Sequence, residues 1–161
     1  MIAVDFAGDA EIRDLYRELI LDHSRHPRHF GKLGDATHTA EGINPLCGDK
    51  LKLYLRLGQD DTIQDASFEG SGCAISVASA SLLTDTVIGL SVGSAQDYFT
   101  ALTTRLVASD GSATDGQNLD LSKLKALDGV REFPARVKCA TLAWHALDSA
   151  LRRKPAPVST E

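Results

Sequence analysis

The sequence predicts an α+β fold in which helices pack on one face of a small antiparallel sheet. Residues 50–57, KLKLYLRL, alternate leucine with lysine, tyrosine or arginine, which is typical of a strand with one buried and one solvated face. A turn signal over residues 58–61 and a second strand-like segment over residues 62–70 follow directly. The apolar patterns on either side of this region have helical spacing. One helix, then a small sheet, then several helices is the order expected of an α+β domain.

Length and composition predict a single domain over residues 1–161, with a core over about residues 11–151 and flexible ends. The net charge of −5 and the lack of a basic stripe argue against a nucleic-acid partner. No apolar run reaches the roughly 18 residues of a transmembrane helix, and the first residues do not form a secretory signal, so no membrane partner is expected. The three cysteines are an odd number, which does not fit a paired disulfide framework. We therefore expect a cytoplasmic protein whose thiols are free or bind a metal.

The N-terminal part is predicted to be a helix followed by a short strand. Residues 1–9 look frayed, and an amphipathic helix extends over residues 11–23 and stops before Pro27, which cannot continue it. A strand is predicted over residues 37–43, ahead of the two sheet strands already described. The apolar face of the helix consists of Ile12, Leu15, Tyr16, Leu19 and Ile20.

The C-terminal half is predicted to be mainly helical. Residues 74–89 are dense in alanine and serine and would lie close to the sheet, and a further helix begins at Ser94 with Asp97 as part of a weak capping box. Cys139 follows the stretch PARV, read as extended, and starts the last helix. The remaining predictions are a mobile loop over residues 109–118, a short helix over residues 121–127 stopped by Gly129, a last helix over residues 139–153 and a disordered tail over residues 154–161.

Three cysteines and one aspartate lie where the predicted structure changes from one element to another. Cys47 and Asp49 flank Gly48 in a turn, and glycine can adopt a conformation that directs both neighbours to the same side. Cys73 and Cys139 each stand at the predicted start of a helix. Because such junctions can meet at one end of a sheet, we expect the four side chains to converge. Three sulfur ligands and one oxygen ligand suit a tetrahedral metal site.

Local charge favours ionised thiols at this site. A helix N-terminus carries partial positive charge, which lowers the pKa of a cysteine, and Cys73 and Cys139 are predicted at such positions. Arg136 and Lys138 are natural partners for the excess negative charge of three thiolates and one carboxylate around a divalent cation. A second interpretation stays open, because free cysteines often only fill core space and the chain has no C-x-x-C pair.

Four segments, in order along the chain, resemble the SufU-type iron–sulfur assembly proteins of the IscU/NifU N-terminal superfamily. They are LYRELILDHSRHPRHFG, NPLCGDKLKL, FEGSGCAISVASAS and FPARVKCATLAWHAL, and the resemblance covers about residues 11–151. It implies the α+β fold shared by SufE, NifU and IscU-like proteins. It also implies a zinc ion bound by Cys47, Asp49, Cys73 and Cys139.

The function implied by this resemblance is sulfur transfer for iron–sulfur cluster assembly. SufU-type proteins accept persulfide sulfur from a SufS-type cysteine desulfurase, a pyridoxal-phosphate enzyme, and serve downstream iron–sulfur assembly proteins. We predict Cys47 as the catalytic acceptor, because it lies in a loop beside Gly48, and a histidine of the desulfurase would take its place on the metal. Arg136 and Lys138 would stabilise the site or contact the partner. The activity is then of the sulfurtransferase type.

Two alternatives remain. An IscU-like scaffold would use the same cysteines to hold an iron–sulfur cluster in place of zinc, but Lys138 stands where such scaffolds have a histidine, and residues 93–118 resemble a SufU-like insertion. The other alternative is a zinc-stabilised binding module with no chemistry. We interpret His23, His26 and His29 as solvent-exposed residues at a helix end and not as metal ligands, because a proline interrupts the helix between them.

Overall fold

A computed structural model describes residues 2–107, 119–121, 123–153 and 157–159 of the chain. The loop predicted over residues 109–118 lies outside these described residues. The elements in chain order are α1 (Ile2–Arg25), β1 (His38–Asn44), β2 (Asp49–Leu57), β3 (Ile63–Ser71), α2 (Ala74–Val87), α3 (Val92–Val107), a 3₁₀ helix (Leu124–Glu132), α4 (Pro134–Leu151) and β4 (Val158–Ser159).

The sheet has the strand order β3-β2-β1-β4. Its three long strands are antiparallel, and Leu53 of β2 lies opposite both Ala40 of β1 and Phe68 of β3. These strands confirm the three that the sequence predicts. β4 pairs with β1 in parallel, so the prediction of a disordered tail is wrong for Val158 and Ser159. The open edge of β1 offers unpaired backbone groups, which this short segment satisfies.

The core lies between the sheet and two helices. Leu51, Leu53 and Leu55 of β2 are buried, as the alternating pattern predicts. Helices α2 and α4 pack against the sheet, α1 packs against α2, and α3 packs against α4. The buried indole Nε1–H of Trp144 in α4 donates to Oγ of Ser79 in α2 at 3.1 Å. The predicted α+β class, with helices packed on the sheet, is confirmed.

Helix α1 is longer than predicted, and its apolar face is only partly covered. It begins at Ile2, so the prediction that residues 1–9 are frayed is wrong from that residue onward. Several alanines in this segment favour a helix. Ile20 is buried against the core, whereas Leu15 is 67% exposed, and the side chain of Ile12 lies outside the described residues. Among the described side chains of α1, which begin at residue 14, Ile20 therefore adds to the core and Leu15 does not.

The start of α3 also differs from its prediction. The helix begins at Val92, two residues before the predicted start at Ser94. Oγ of Ser91 accepts the backbone N–H of Ser94 at 3.1 Å, so Ser91 supplies the capping oxygen. Ser91, three residues before Ser94, therefore caps the helix, and the predicted capping box of Ser94 and Asp97 is not at the start of the helix.

The short helix predicted before Gly129 is a 3₁₀ helix that continues through this glycine. A glycine inside a helix costs only about 1 kcal/mol, so packing readily overrides it. Arg105 of α3 donates two hydrogen bonds of 2.7 Å to the carboxylate of Asp128 in the 3₁₀ helix, which joins the two elements. None of the helices in the described part of the chain is long and apolar enough to cross a bilayer.

The histidines near the end of α1 are not all exposed, which corrects the prediction. His23 is 1% exposed, and its Nδ1 lies 2.6 Å from Oγ of Ser81 in α2. His29 is exposed, as predicted, although its Nδ1 lies 3.0 Å from Oγ1 of Thr84. His26 is exposed, as predicted. The helical period of α1 can be read from the sequence. Which histidine is buried depends on the side of α1 against which α2 packs, and the sequence alone does not show this.

Candidate metal centre

Cys47 and Asp49 are positioned by the tight turn that joins β1 to β2. Gly48 has a φ of +71°, in the left-handed region that glycine adopts without steric cost. The backbone N–H of Cys47 donates to the carbonyl oxygen of Asn44 across the turn at 3.3 Å. Asp49 is fully buried at the start of β2, whereas Cys47 is half-buried. The turn therefore places a partly accessible thiol beside a buried carboxylate.

Cys139 lies in a different setting from the one predicted. α4 begins at Pro134, so the segment PARV is helical and Cys139 is in the second turn of the helix. Proline suits the first helical position, because its fixed φ matches the helix and its missing N–H is not needed there. Burial raises the pKa of the Cys139 thiol, and hydrogen bonding with the side chains of Asp49, Cys47 and Cys73 raises it further. Burial therefore outweighs the effect expected from a helix start.

Three of the four predicted ligands converge. Sγ of Cys47, a carboxylate oxygen of Asp49 and Sγ of Cys139 lie within 4.8 Å of one another. Two sulfurs bound to a tetrahedral zinc ion lie about 3.8 Å apart, so this spacing is compatible with a shared cation. Within the described residues, no cationic side chain forms an ion pair with the buried Asp49 carboxylate. Because a buried charge is costly without a counter-charge, this carboxylate favours a bound cation.

Cys73 stands at the edge of this group. It is the N-cap residue of α2, as predicted, and is half-buried. Its backbone N–H donates to Oδ1 of Asp49 at 2.9 Å. Among the described residues, its sulfur does not belong to the group whose donor atoms all lie within 4.8 Å of one another. The assignment of Cys73 as fourth ligand therefore stays a prediction.

Arg136 provides positive charge at this edge. It is exposed in the first turn of α4, and its pKa is raised by electrostatic interaction with Cys73 first, then with Cys139, and by a hydrogen bond with Cys73. These interactions suit the predicted counter-charge. Lys138 is half-buried and, across the described ranges, has no hydrogen bond or ion pair to any predicted ligand. Its role stays a prediction.

Asn44 is a site residue that the sequence reasoning did not single out. It is the last residue of β1 and is fully buried. Its Nδ2 lies 3.4 Å from Oδ2 of Asp49 and 3.4 Å from Sγ of Cys139. The available signal was its position in NPLCGD, but an asparagine next to proline and near glycine is ordinarily read as a turn residue.

An open groove of about 440 Å³ lies beside Cys73, bordered by the starts of α2 and α4 and by the 3₁₀ helix. Its lining is mainly apolar and includes Val130 and Phe133, with Arg136 as the cation. Phe133 is 59% exposed, and Leu46, next to Cys47, is 67% exposed. Phe133 therefore adds an exposed aromatic surface to the groove beside Cys73.

Comparison with known protein families decides the class of protein. Residues 15–140 match the NifU-like N terminal domain, a stretch that includes Cys47, Asp49, Cys73 and Cys139. The chain belongs to the NifU-like N-terminal domain family. The resemblance to SufU-type and IscU-like proteins, stated from the sequence motifs, is thereby confirmed.

Two relatives match this NifU-like chain over nearly their whole length. The chain is 41% identical over 149 residues to the zinc-dependent sulfurtransferase SufU of Bacillus subtilis (strain 168), covering 91% of this chain and 95% of the relative. It is 40% identical over 146 residues to the iron–sulfur cluster assembly scaffold protein IscU of Thermotoga maritima, covering 89% of this chain and 96% of the relative. The two identities are nearly equal, so similarity alone does not separate sulfur transfer from cluster assembly on a scaffold.

Solved structures of NifU-like proteins have the same fold. A protein of Fervidobacterium islandicum AW-1, described as a candidate iron–sulfur cluster assembly scaffold for the SUF system, superposes with a TM-score of 0.72 at 32% identity over 83% of this chain and 94% of that chain. The N-terminal part of a nitrogen-fixing NifU-like protein from Brucella abortus gives a TM-score of 0.74 at 26% identity over 90% of this chain and 99% of that chain.

Proposed function

We propose that this NifU-like chain is a zinc-dependent sulfur-transfer protein that accepts persulfide sulfur from a SufS-type cysteine desulfurase for iron–sulfur cluster assembly. The observation that carries the proposal is the contrast between two neighbouring thiols. Cys47 is half-buried on a turn, whereas Cys139 is fully buried in α4. An acceptor must reach the sulfur of its partner, which excludes the buried Cys139. Cys73 is half-buried as well, but it is held at the N-cap of α2, whereas Cys47 lies on a turn beside Gly48, so we assign the acceptor role to Cys47. The 41% identity to a protein named as a zinc-dependent sulfurtransferase supports this choice.

The donor set fits zinc. Cys47, Asp49, Cys73 and Cys139 would hold the ion, and the buried Asp49 carboxylate would gain the counter-charge that it lacks among the described residues. Zinc has no redox chemistry and no geometric preference from d-electrons, so the bound ion would keep thiols ionised without oxidising them.

The transfer step is thiol–persulfide exchange. The Cys47 thiolate attacks the outer sulfur of the desulfurase persulfide, a new S–S bond forms at Cys47, and the original S–S bond of the desulfurase breaks. The desulfurase cysteine leaves as a thiolate, so atoms and electrons balance without an added oxidant or reductant. Gly48 gives the turn conformational freedom, so Cys47 can move while Asp49 and Cys139 stay in β2 and α4.

The groove beside Cys73 is our proposed contact surface for the desulfurase. Phe133 in the groove and Leu46 next to Cys47 offer exposed apolar surface, and Arg136 and Lys138 supply positive charge. Persulfide chemistry requires reduced thiols, so we place the protein in the cytoplasm, where it would supply downstream iron–sulfur assembly proteins.

Replacement of Cys47 by alanine tests the acceptor assignment. Zinc-loaded protein is incubated with a SufS-type desulfurase and L-cysteine, then digested without reductant and examined by mass spectrometry. We expect the Cys47 peptide of the unmodified protein to gain one sulfur atom, and we expect C47A to gain none and to lose its stimulation of the desulfurase. Circular dichroism shows whether C47A is folded, and the buried but distant Ser149→Ala serves as control. Normal stimulation by folded C47A would exclude Cys47 as acceptor.

A scaffold function is the second candidate, because the identity to a protein named as an IscU scaffold is 40%. The same thiols would then hold an iron–sulfur cluster as cargo. Anaerobic incubation with ferrous iron, the desulfurase and L-cysteine, followed by absorption spectroscopy, separates the two functions. A stable visible chromophore at one cluster per chain or per pair of chains supports the scaffold, and a colourless zinc protein supports transfer.

A further inference from the structure

Asn44 places its side-chain amide between two residues of the metal centre that are far apart in sequence. The side chain is fully buried at the end of β1. One nitrogen, Nδ2, faces Oδ2 of Asp49 on β2 and Sγ of Cys139 on α4, each at 3.4 Å. The amide has two N–H groups, so it can donate one hydrogen to each acceptor. Asn44 therefore connects the sheet part of the site with its helix part.

The Asp49 carboxylate is held at both oxygens. Oδ1 accepts the backbone N–H of Cys73 at 2.9 Å, and Oδ2 faces the Asn44 amide. A carboxylate held by two donors from different elements has little freedom to rotate. Cys139 is fixed in a similar way, because it is buried in α4 and its sulfur faces the same amide. Cys47 lies on a turn and has no such side-chain contact with Asn44 among the described residues.

The orientation of the amide follows from the acceptors that surround it. Exchange of Oδ1 and Nδ2 would bring the amide oxygen against the Asp49 carboxylate, where two acceptors repel each other. In the observed orientation, Oδ1 is buried and has no hydrogen-bond partner among the described residues. The N–H side of the amide, and not its oxygen, therefore faces the two predicted ligands.

We propose that Asn44 is a positioning residue that keeps Asp49 and Cys139 together as the fixed half of the metal centre. The role assigned to Cys47, as the thiol that moves away from this fixed half, rests on the proposed function, whereas the positioning of Asp49 and Cys139 does not. The same residue also anchors the turn, because its carbonyl oxygen accepts the N–H of Cys47. The backbone of Asn44 therefore anchors the turn that carries Cys47, and its side chain orients the two fixed donors, Asp49 and Cys139.

The experiment measures metal binding without any partner protein. Asn44→Leu keeps the branched shape of the side chain, with a somewhat larger volume, and removes both N–H donors, and Asn44→Ala removes the side chain beyond Cβ. We expect each variant to bind Zn²⁺ about 10–100-fold more weakly in competition with a chromophoric chelator, because a residue that orients a ligand has an effect of this size. Titration with Co²⁺ alone reports the geometry, since sulfur-to-cobalt charge-transfer bands should weaken or shift if Cys139 is no longer fixed.

Ser149→Ala is the matched control. Like Asn44, Ser149 is buried and has a side-chain oxygen that lacks a partner among the described residues, but it lies near the C-terminal end of α4, ten residues after Cys139. We expect it to keep the Zn²⁺ affinity and the Co²⁺ spectrum. Unchanged affinity and spectrum in a folded N44L or N44A protein would overturn the positioning role. An equal loss in S149A would also overturn it, because the effect would then reflect general stability. Persulfide mapping on Cys47 is a separate measurement, so the acceptor assignment can fail while the positioning role holds.

Discussion

Oδ1 of Asp49 lies only 2.5 Å from the position that a Cβ atom on Gly72 would occupy. The same oxygen accepts the backbone N–H of Cys73, the residue that follows Gly72. A residue without a side chain allows the carboxylate to come this close to the backbone. The orientation of a predicted metal ligand therefore depends on a glycine that is not a ligand itself.

Gly72→Ala should weaken metal binding while the fold is retained. The added methyl group cannot share space with the carboxylate, and Asp49 is buried and held at both oxygens, so its displacement disturbs the ligand set. We expect Zn²⁺ affinity to fall about tenfold, as for loss of a group that orients a ligand. Chelator competition measures the affinity, and circular dichroism checks the fold.

Gly34→Ala is the control for this substitution. A Cβ atom on Gly34 would meet no heavy atom within 4 Å, so the change should leave Zn²⁺ affinity unaltered. If G72A and G34A bind the ion equally well, the close approach of Asp49 to Gly72 has no part in metal binding.

The sheet could be predicted from the sequence because its signal is local. The alternation in KLKLYLRL requires one buried face, and the leucines at 51, 53 and 55 occupy it. β4 could not be predicted in this way, because a two-residue strand has no periodicity of its own. Val158 and Ser159 form a strand only because β1 has an open edge for them to pair with.

The metal centre could be predicted in part. Cys47 and Asp49 are adjacent to a glycine that turns the chain, so their proximity is a local property. The depth of Cys139 is not local, because Pro134 can either end an extended segment or begin a helix, and only packing against the sheet decides between them. Asn44 could not be recognised from the sequence for the same reason. An asparagine that is buried as a hydrogen-bond donor and an asparagine that is exposed in a turn look identical in the sequence.

His23 should make the free energy of unfolding fall as the pH is lowered below about 6.5. Burial lowers the pKa of this imidazole and the charge of Arg28 lowers it further, while Asp85 and Asp22 oppose this effect and Lys123 adds to it. The unfolded chain then binds a proton at a higher pH than the folded chain. Stability is therefore full above pH 6.5 and is lost as the pH falls through the folded-state pKa. Urea unfolding at several pH values measures the slope.

His23→Gln should flatten part of this slope, because glutamine does not titrate. Some slope remains, since burial also lowers the pKa of His38 and His145. His26→Gln is the matched control, because His26 is exposed near the end of the same helix. Equal slopes in H23Q and the unmodified protein would show that His23 does not carry the pH dependence.

Ser79→Ala should destabilise the core through Trp144. The hydroxyl of Ser79 accepts the indole N–H of Trp144 and donates to the carbonyl oxygen of Ala140 at 2.5 Å. Removal of the hydroxyl leaves the buried indole N–H without its acceptor, which costs about 1–3 kcal/mol of unfolding free energy. Trp144→Phe should lower the unfolding free energy less in the S79A protein than in the unmodified protein. In S79A the indole N–H has already lost its acceptor, so its removal breaks no hydrogen bond. Urea unfolding followed by circular dichroism measures both effects, and purely additive losses would contradict this coupling.

The ion pair between Arg105 and Asp128 should stabilise the wall of the groove beside Cys73. Both side chains are largely buried, and two hydrogen bonds of 2.7 Å join the guanidinium to the carboxylate. A double-mutant cycle with Arg105→Gln and Asp128→Asn should give a coupling energy of about 1–2 kcal/mol, because paired, partly buried charges interact more strongly than exposed ones.

Asp128 lies on the 3₁₀ helix that borders the groove, so Asp128→Asn should also weaken the proposed desulfurase binding, with Zn²⁺ affinity unchanged. Arg56→Gln is the control, because it breaks a more exposed ion pair between Arg56 of β2 and Asp35 in the turn before β1. It should change neither desulfurase binding nor Zn²⁺ affinity. A loss of Zn²⁺ affinity in D128N would mean that the 3₁₀ helix supports the metal centre itself and not only the surface beside it.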